Sequence, residues 1–185
     1  MHRRRFLGAS LGSLAFTAVA GPARLVLAQA CAARTEPNIE GPFYLPGAPR
    51  RSALTDRASL EIAGTVTDTS CRPMADAVIE VWQADADGEY DLTGDGFRGQ
   101  LRTNDRGGFV IRTIHPGRYL NGGTYRPSHI HVKVHANGRP PLTTQLYFPG
   151  DPHNDADPWF RQSLLLSFLP SGCHPSHRAR FGFVV

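Results

Sequence analysis

Lysine is almost missing from this 185-residue chain, in which Lys133 stands against nineteen arginines. No basic run follows residue 30, so the charge pattern gives little support for nucleic-acid binding. The chain has no run of about 18 apolar residues, which argues against a membrane-spanning helix after the N-terminus. It also lacks Gly-X-Y and heptad repeats, and a hydrophobic content of 41% is too high for a disordered chain. One globular domain is the expected organisation, since a domain usually holds roughly 100–200 residues.

The positive charge is concentrated at the N-terminus. Residues 1–30 contain four arginines and no acidic residue, and removing those four from the 20 basic residues leaves 16, equal to the 16 acidic residues. The formal net charge of +4 therefore belongs to this segment, and residues 31–185 are formally neutral. The pI of 9.3 says little about what the rest of the chain binds.

Residues 1–30 have the composition of an export signal. They begin with Arg3-Arg4-Arg5, continue through a mildly apolar stretch and end in Ala28-Gln29-Ala30. The arginines resemble a twin-arginine signal, so we predict a cleavable signal at 1–30 and an exported protein, periplasmic or extracellular. A Sec signal or a membrane anchor is the alternative. Cys31 follows the predicted cleavage site, but Ala28 and Gln29 match a lipidation site poorly.

Three cysteines fit an oxidising compartment. Cys31, Cys71 and Cys173 can form one disulfide and leave one thiol, and the sequence does not choose among the three pairings. No CxxC pair is present, which argues against a zinc knuckle or a thioredoxin-like site.

The remaining chain is predicted to be all-β. Residues 31–58 are rich in proline and glycine and predict an extended arm, and residues 59–185 predict an antiparallel β-sandwich with long active-site loops. Only 159–168 shows any helical periodicity. Segments rich in β-branched and aromatic residues, separated by turn residues, predict strands at 60–66, 77–83, 108–114, 128–134, 143–148 and 179–185.

His129-Ile130-His131 is the sharpest local motif. Side chains two positions apart on a strand project from one face, so both imidazoles can reach one point. Lys133 and His135 continue that face, while Ile130 and the two valines after it are expected in the core. An isolated pair of this kind also fits a solvent-facing polar edge, so a site needs further ligands.

Several oxygen-rich segments are candidates for those ligands. The loop 85–91 resembles a calcium loop but fails the template, since Tyr90 stands where glycine is needed. The stretch 151–157, with three aspartates and His153, is predicted to be a polar loop. Tyr90 and Tyr119 each end a passage from strand to loop, and either tyrosine alone would fit a packing role at the rim of the sandwich.

Taken in order, these motifs resemble the intradiol ring-cleavage dioxygenases, the family of catechol and protocatechuate dioxygenases. The resemblance covers about residues 38–158. It rests on five spaced motifs, which are EGPFY, IEVWQADADGEYD, FVIRTIHPGRY, YRPSHIHVKV and LTTQLYFPGDP.

The resemblance implies one non-haem Fe(III) per chain, bound by Tyr90, Tyr119, His129 and His131. Phenolate is a hard anionic donor that favours Fe(III), and two phenolates with two neutral imidazoles leave one net positive charge for an anionic substrate. By analogy with the family, Tyr119 is expected to be displaced by substrate and Tyr90 to stay. The implied reaction cleaves a catechol-type ring between its hydroxylated carbons with O2, giving a cis,cis-muconate-type dicarboxylate.

Two polar residues are implied beside this metal. Arg126 matches a family arginine that stabilises negative charge on the ring, and Gln145 matches a glutamine near the substrate. The alternatives are a structural salt bridge for Arg126 and a surface strand position for Gln145.

The sequence departs from the family in two places. The predicted mature chain leaves no room for the helical N-terminal dimerisation region of catechol 1,2-dioxygenases, so a protocatechuate-type subunit or a small exported member is expected, with a homo-oligomer possible. The short segment between Tyr90 and Tyr119 predicts an open pocket rim, where Tyr125 is the one candidate for a flanking aromatic.

Two other functions remain open from sequence. GTVTDTSCRPMADAVIEVW resembles transthyretin-like sandwich repeats, so a secreted, non-catalytic binding module is one alternative. A zinc or ferrous enzyme using the two histidines and a carboxylate such as Asp91 is the other. A binding module has no need of Tyr119, Arg126 and the histidine pair together, and this favours the dioxygenase.

Overall fold

The computed structural model describes residues 33–170 and 177–185. The predicted export signal, Cys31 and Cys173 lie outside these residues. Cys71 is disulfide-bonded, which confirms that the chain forms a disulfide. No helix in the described part of the chain is long and apolar enough to cross a membrane.

Strands make up most of the regular structure. Besides two short 3-10 helices, Asn154–Ala156 and Gln162–Leu164, the described residues form β1 (Leu60–Thr67), β2 (Val78–Trp82), β3 (Arg98–Arg102), β4 (Gly108–Thr113), β5 (Tyr119–Asn121), β6 (Thr124–Arg126), β7 (His129–His135), β8 (Leu142–Tyr147), β9 (Ser167–Phe168), β10 (His177–Arg180) and β11 (Phe183–Val184).

The strands form two main sheets and a hairpin. One sheet has β1 at its centre, antiparallel to β4 and parallel to β10 and β11, with β9 beyond β10. The other has the order β3-β2-β7-β8 and is antiparallel throughout. Strands β5 and β6 pair only with each other. The all-β class is confirmed, although the parallel pairing of β1 makes the first sheet mixed.

The core contains residues from both main sheets. Ile62 and Ile111 from the first sheet and Ile79, Ile130 and Val132 from the second are fully buried within one apolar cluster. Alternation along β7 directs its apolar residues into this cluster, so the histidines project from the opposite face of the sheet.

Two segments differ in detail from their sequence patterns. Residues 159–168 form no α-helix. Their one helical turn is the 3-10 helix Gln162–Leu164, and buried Leu164 and Leu166 alternate with half-buried Leu165 in the period of an extended chain. The predicted strand 179–185 is divided into β10 and β11 by Phe181 and Gly182.

The N-terminal arm runs across the outer face of the second sheet. Its backbone bonds to β8 through the Asn38 N–H and Thr143 carbonyl, 2.8 Å apart, and reaches the edge of β3 through Arg51 and Gln100 at 3.0 Å. Between these anchors the EGPFY segment passes over β7, and Glu40 forms an ion pair with Lys133. The arm therefore covers the face that carries the histidines.

Candidate active site

His129 and His131 converge on one point. Their Nε2 atoms are 3.2 Å apart, and their exposed fractions are 3% and 1%. The His129 Nδ1–H donates to the Pro127 carbonyl oxygen at 2.7 Å, because that oxygen can only accept. This bond leaves the His129 Nε2 lone pair facing the point of convergence.

Both imidazoles are held neutral. Burial, helped by the nearby Arg126 guanidinium, lowers the pKa of His129 to about 3. Burial also brings the pKa of His131 well below its usual value, and His129 and Arg126 lower it further. Neutral imidazole is the form of histidine that binds metal ions.

Tyr90 places a hydroxyl in the same region without a hydrogen-bond partner. Its ring centroid is 6.1 Å from that of His131 and 5.7 Å from that of Tyr119. Burial is the main cause that raises the pKa of Tyr90 above its usual value. A buried polar atom left unpaired costs about 1–3 kcal/mol, so this oxygen lacks a partner that a cation would supply.

Tyr119 approaches the pair from the hairpin β5-β6. Its ring centroid is 5.7 Å from that of His129, and its hydroxyl oxygen accepts a hydrogen bond of 3.3 Å from Arg126 Nη1. The structure thus brings together both tyrosines and both histidines predicted from the sequence. The Tyr119 hydroxyl has a hydrogen-bond partner in Arg126, whereas the Tyr90 hydroxyl has none.

Two glycines let the loops that carry these tyrosines touch. A Cβ on Gly117 would overlap the Ala86 carbonyl oxygen, and a Cβ on Gly88 would overlap the Arg118 carbonyl oxygen. The Gly117 N–H donates to the Asp85 carbonyl oxygen at 2.7 Å. The loops before Tyr90 and Tyr119 therefore pack backbone against backbone, which only glycine permits.

The carboxylates of the first loop are used within the loop. Asp85 accepts the Asp87 and Glu89 N–H groups, each at 2.9 Å, so this loop is a side-chain-capped turn. Asp91 accepts the N–H groups of Gly94 and Gly96, which lower the pKa of Asp91. Within the described ranges, no group of three His, Cys, Asp or Glu side chains could hold a metal. This argues against the alternative in which Asp91 completes a two-histidine site.

The other polar residues of the β7 face do not join the site. Lys133 pairs with Glu40 of the arm. His135 Nε2 lies 2.7 Å from Glu80 Oε1, and the other carboxylate oxygen of Glu80 accepts a hydrogen bond from Tyr44. Their position on this face matches the prediction, and their partners tie the arm to the sheet.

Arg126 and Gln145 lie together in a buried network. Arg126 Nη2 donates to Gln145 Oε1 at 2.9 Å, and Gln145 Nε2 donates to the Ile39 carbonyl oxygen at 2.9 Å. The Tyr147 hydroxyl donates to the same Gln145 oxygen at 2.9 Å. Gln145 is fully buried, so it does not occupy a surface strand position.

Aromatic rings enclose the histidines and Tyr90. Trp82 stacks on His131 with centroids 4.9 Å apart, and Phe43 of the arm stacks on Tyr90 at 4.2 Å. Gly41 has a φ of +73°, and a Cβ there would lie 3.2 Å from His131 Cε1. The arm approaches His131 closely because residue 41 is glycine.

A pocket of about 430 Å³ opens beside the two tyrosines. Phe43, Tyr90 and Tyr119 line it, and its rim includes Leu120 and Tyr125, which are 60% and 50% exposed. Leu92, also half exposed, lies on the same rim. Aromatic rings suited to an aromatic ligand thus line the pocket together with the charged residues Asp87, Glu89 and Arg118.

Comparison with known proteins supplies the family. A family model described as dioxygenase matches residues 39–168. Two curated relatives each align with 82% of this chain: 6-chlorohydroxyquinol 1,2-dioxygenase of Cupriavidus pinatubonensis (strain JMP 134), 33% identical, and hydroxyquinol 1,2-dioxygenase of Nocardioides simplex, 35% identical. The chain belongs to the intradiol dioxygenase family. The alignments cover 64% of each relative, so the chain spans just under two thirds of their length.

Solved structures of the family agree with the fold. The dioxygenase domain of a dioxygenase carbohydrate-binding protein fusion from Streptomyces sp. SirexAA-E superposes with a TM-score of 0.75 at 41% identity, over 83% of this chain and 98% of that one. The 3-chlorocatechol 1,2-dioxygenase of Rhodococcus opacus 1CP gives 0.75 at 32% identity, over 81% and 71%. Family membership confirms the resemblance and does not favour the non-catalytic binding module.

The structure adds to the site residues that sequence reasoning did not select. Asp157, placed in a polar loop by its composition, is 7% exposed and pairs with Arg126 at 2.8 Å. Asp151, from the same stretch, accepts hydrogen bonds from the Arg118 side chain and the Ser128 N–H, and so ties together the segments before Tyr119 and His129. Of the residues in this network, the sequence pattern could have indicated Tyr147, because it lies two positions from Gln145 on the same strand and so projects from the same face.

Proposed function

We propose that the chain is a non-haem iron intradiol dioxygenase that cleaves a catechol-type ring between its two hydroxylated carbons. Catechol and O2 would give cis,cis-muconic acid, in which both atoms of O2 are retained and no other reductant is needed. The observation that carries the proposal is the buried, unpartnered hydroxyl of Tyr90 beside Tyr119 and the converging Nε2 atoms of His129 and His131.

The donor set fits Fe(III). Tyr90 and Tyr119 would provide two phenolate oxygens, and His129 and His131 two neutral nitrogens, a combination of hard anionic and borderline donors that favours the ferric ion. When bound, the ferric ion would make the coordinated catecholate reactive toward O2. Bound iron would also lower the pKa values of both tyrosines, whereas burial and the neighbouring Tyr119 raise the pKa of Tyr90.

The protein residues would manage protons and charge. Tyr119 would be the tyrosine that gives way to the substrate, because its hydroxyl oxygen already accepts a hydrogen bond from Arg126 at 3.3 Å. The Tyr119 phenolate would accept a catechol proton, and its oxygen would keep the hydrogen bond from Arg126. Tyr90 has no alternative partner and would remain. Arg126 would stabilise negative charge that develops on the ring.

The proposed substrate is a catechol, and the open rim of the pocket would accept a ring that carries a substituent. The relatives carry the names of hydroxyquinol and chlorocatechol dioxygenases. In this chain the exposed side chains Leu92, Leu120 and Tyr125 leave room beyond the ring for a substituent.

Export of the protein is a further proposal. Residues 1–30 would direct the chain through the twin-arginine route to the periplasm or the exterior. The disulfide of Cys71 supports an oxidising destination, where such bonds persist.

Oxygen uptake tests the activity directly. The iron-loaded protein is expected to consume one O2 per catechol and to form a cis,cis-muconate, with both atoms of ¹⁸O2 found in the product by mass spectrometry. A panel of catechol, hydroxyquinol, chlorocatechols and protocatechuate would rank the substrates. Fully iron-loaded protein that binds these catechols without consuming O2, or that forms a semialdehyde, would refute the proposal.

Visible absorption tests the ligands separately from turnover. Tyrosinate bound to Fe(III) absorbs visible light, so the protein should be reddish and change colour on adding catechol. Tyr90→Phe and Tyr119→Phe are each expected to shift or weaken the band. Tyr44→Phe is the control, because the Tyr44 hydroxyl donates to Glu80 and not to any of the four proposed iron ligands. If both single variants retained the full band, the ligand assignment would be wrong.

A further inference from the structure

Asp157 is a buried carboxylate that the proposed reaction does not use. It follows the 3-10 helix Asn154–Ala156, and its side chain is 1% exposed. Its Oδ2 accepts hydrogen bonds from Arg126 Nε at 3.1 Å and Nη2 at 2.8 Å. Its Oδ1 accepts the Trp159 N–H at 2.9 Å, which holds the carboxylate in place.

Hydrogen bonds from Nε and Nη2 hold the Arg126 guanidinium in place. It carries five N–H groups in a rigid plane. Nε and Nη2 face Asp157, and Nη2 also contacts Gln145 Oε1 at 2.9 Å and the Tyr147 hydroxyl at 3.3 Å. The Trp159 ring covers the guanidinium, with 4.6 Å from Cζ to the ring centroid.

One end of the guanidinium remains for the site. Arg126 Nη1 lies 3.3 Å from the Tyr119 hydroxyl and 3.4 Å from His129 Nε2. Because the guanidinium is planar, the Asp157 contact on the Nε and Nη2 side determines where Nη1 points. Because turning away from Asp157 would leave both buried charges uncompensated, the guanidinium stays on this carboxylate.

We propose that Asp157 is a positioning residue that aims Arg126 Nη1 at the space between Tyr119 and His129. Asp157 itself lies behind the guanidinium and acts through it. The inference rests on the proposed function for its kinetic consequence, while the orientation of Arg126 can be examined independently of turnover.

Asp157→Asn keeps the size of the side chain and removes its charge. We expect kcat to fall by about 100-fold with little change in KM, since small misplacements of a catalytic group cost this much. Iron content and the visible band should stay at the wild-type level. In a crystal structure of the variant, the guanidinium should rotate away from Tyr119. Asp155→Asn, an exposed neighbour in the same turn, is the matched control and should leave kcat unchanged.

Combining variants of Asp157 and Arg126 shows whether Asp157 acts by positioning Arg126 or by stabilising the fold in general. If Asp157 acts through Arg126, then Arg126→Gln with Asp157→Asn should have nearly the kcat of Arg126→Gln alone. This comparison also serves if the single Asp157→Asn variant, with an unpaired buried arginine, does not fold.

The possible results are distinct. A kcat of Asp157→Asn within twofold of wild type, an unmoved guanidinium in its crystal structure, or a further loss of 10-fold or more in the double variant would overturn the positioning role. Absence of ring cleavage by the wild-type protein would instead refute the proposed function, and the crystal structure of Asp157→Asn would still decide whether Asp157 orients Arg126.

Discussion

Replacing His131 by alanine is expected to remove the proposed iron and with it the activity. The substitution deletes one of two buried neutral imidazoles whose Nε2 atoms meet at 3.2 Å. It also empties the space against Trp82, whose ring lies within 8° of parallel to the imidazole. Loss of a partner that merely orients a metal ligand weakens metal binding about 10–100-fold, so loss of the ligand itself should cost at least about 100-fold. Iron per chain and the visible band would measure it.

His135→Ala is the matched control for this variant. His135 lies on the same strand and the same face, four positions away, but its Nε2 contacts Glu80 and it is partly exposed. This variant should keep its iron and its colour. Full iron occupancy in His131→Ala, or equal loss of iron in both variants, would contradict the assignment of His131 as a ligand.

The arrangement of β7 could be predicted because it depends on local geometry alone. Residues two apart on a strand share a face, so His129-Ile130-His131 was enough to place both imidazoles together and Ile130 in the core. The structure has the two Nε2 atoms in contact distance and Ile130 fully buried. The further prediction that Tyr90 and Tyr119 join them came from the family resemblance, since nothing local to either tyrosine indicates its neighbours.

The partners of Arg126 could not be predicted, because they come from distant segments. Asp157 is 31 residues away from Arg126, and the stretch 151–157 that contains it has the composition of a solvated loop. Burial decides its role, and burial depends on how the loop folds over β6 and β8. The parallel pairing of β1 with β10 has the same origin, since it joins residues such as Leu60 and His177 that no local pattern connects.

Gly117→Ala is expected to destabilise the protein and disturb the site at once. The glycine packs its backbone on that of Ala86, so a methyl group would overlap the Ala86 carbonyl oxygen, and a backbone atom cannot turn aside as a side chain can. The loop that carries Tyr119 must then separate from the loop that carries Tyr90. Forcing an extra group into a packed region costs typically about 1–3 kcal/mol, which urea unfolding would detect as a lower midpoint. The visible band should weaken too, because Tyr119 lies two positions from the substitution.

Gly182→Ala isolates this steric effect from the general cost of replacing glycine. At Gly182 the nearest atom to an added Cβ, the Thr65 carbonyl oxygen, is 3.9 Å away, which is an ordinary contact. Neither glycine has a positive φ, so neither substitution imposes backbone strain of that kind. Gly182→Ala should therefore leave the unfolding midpoint and the band near the wild-type values. Equal midpoints for the two variants would mean that contact between the two loops does not hold the tyrosines together. A lower midpoint with an unchanged band would mean that the tyrosines are positioned by their own side-chain contacts, with Phe43 and Arg126 foremost among them.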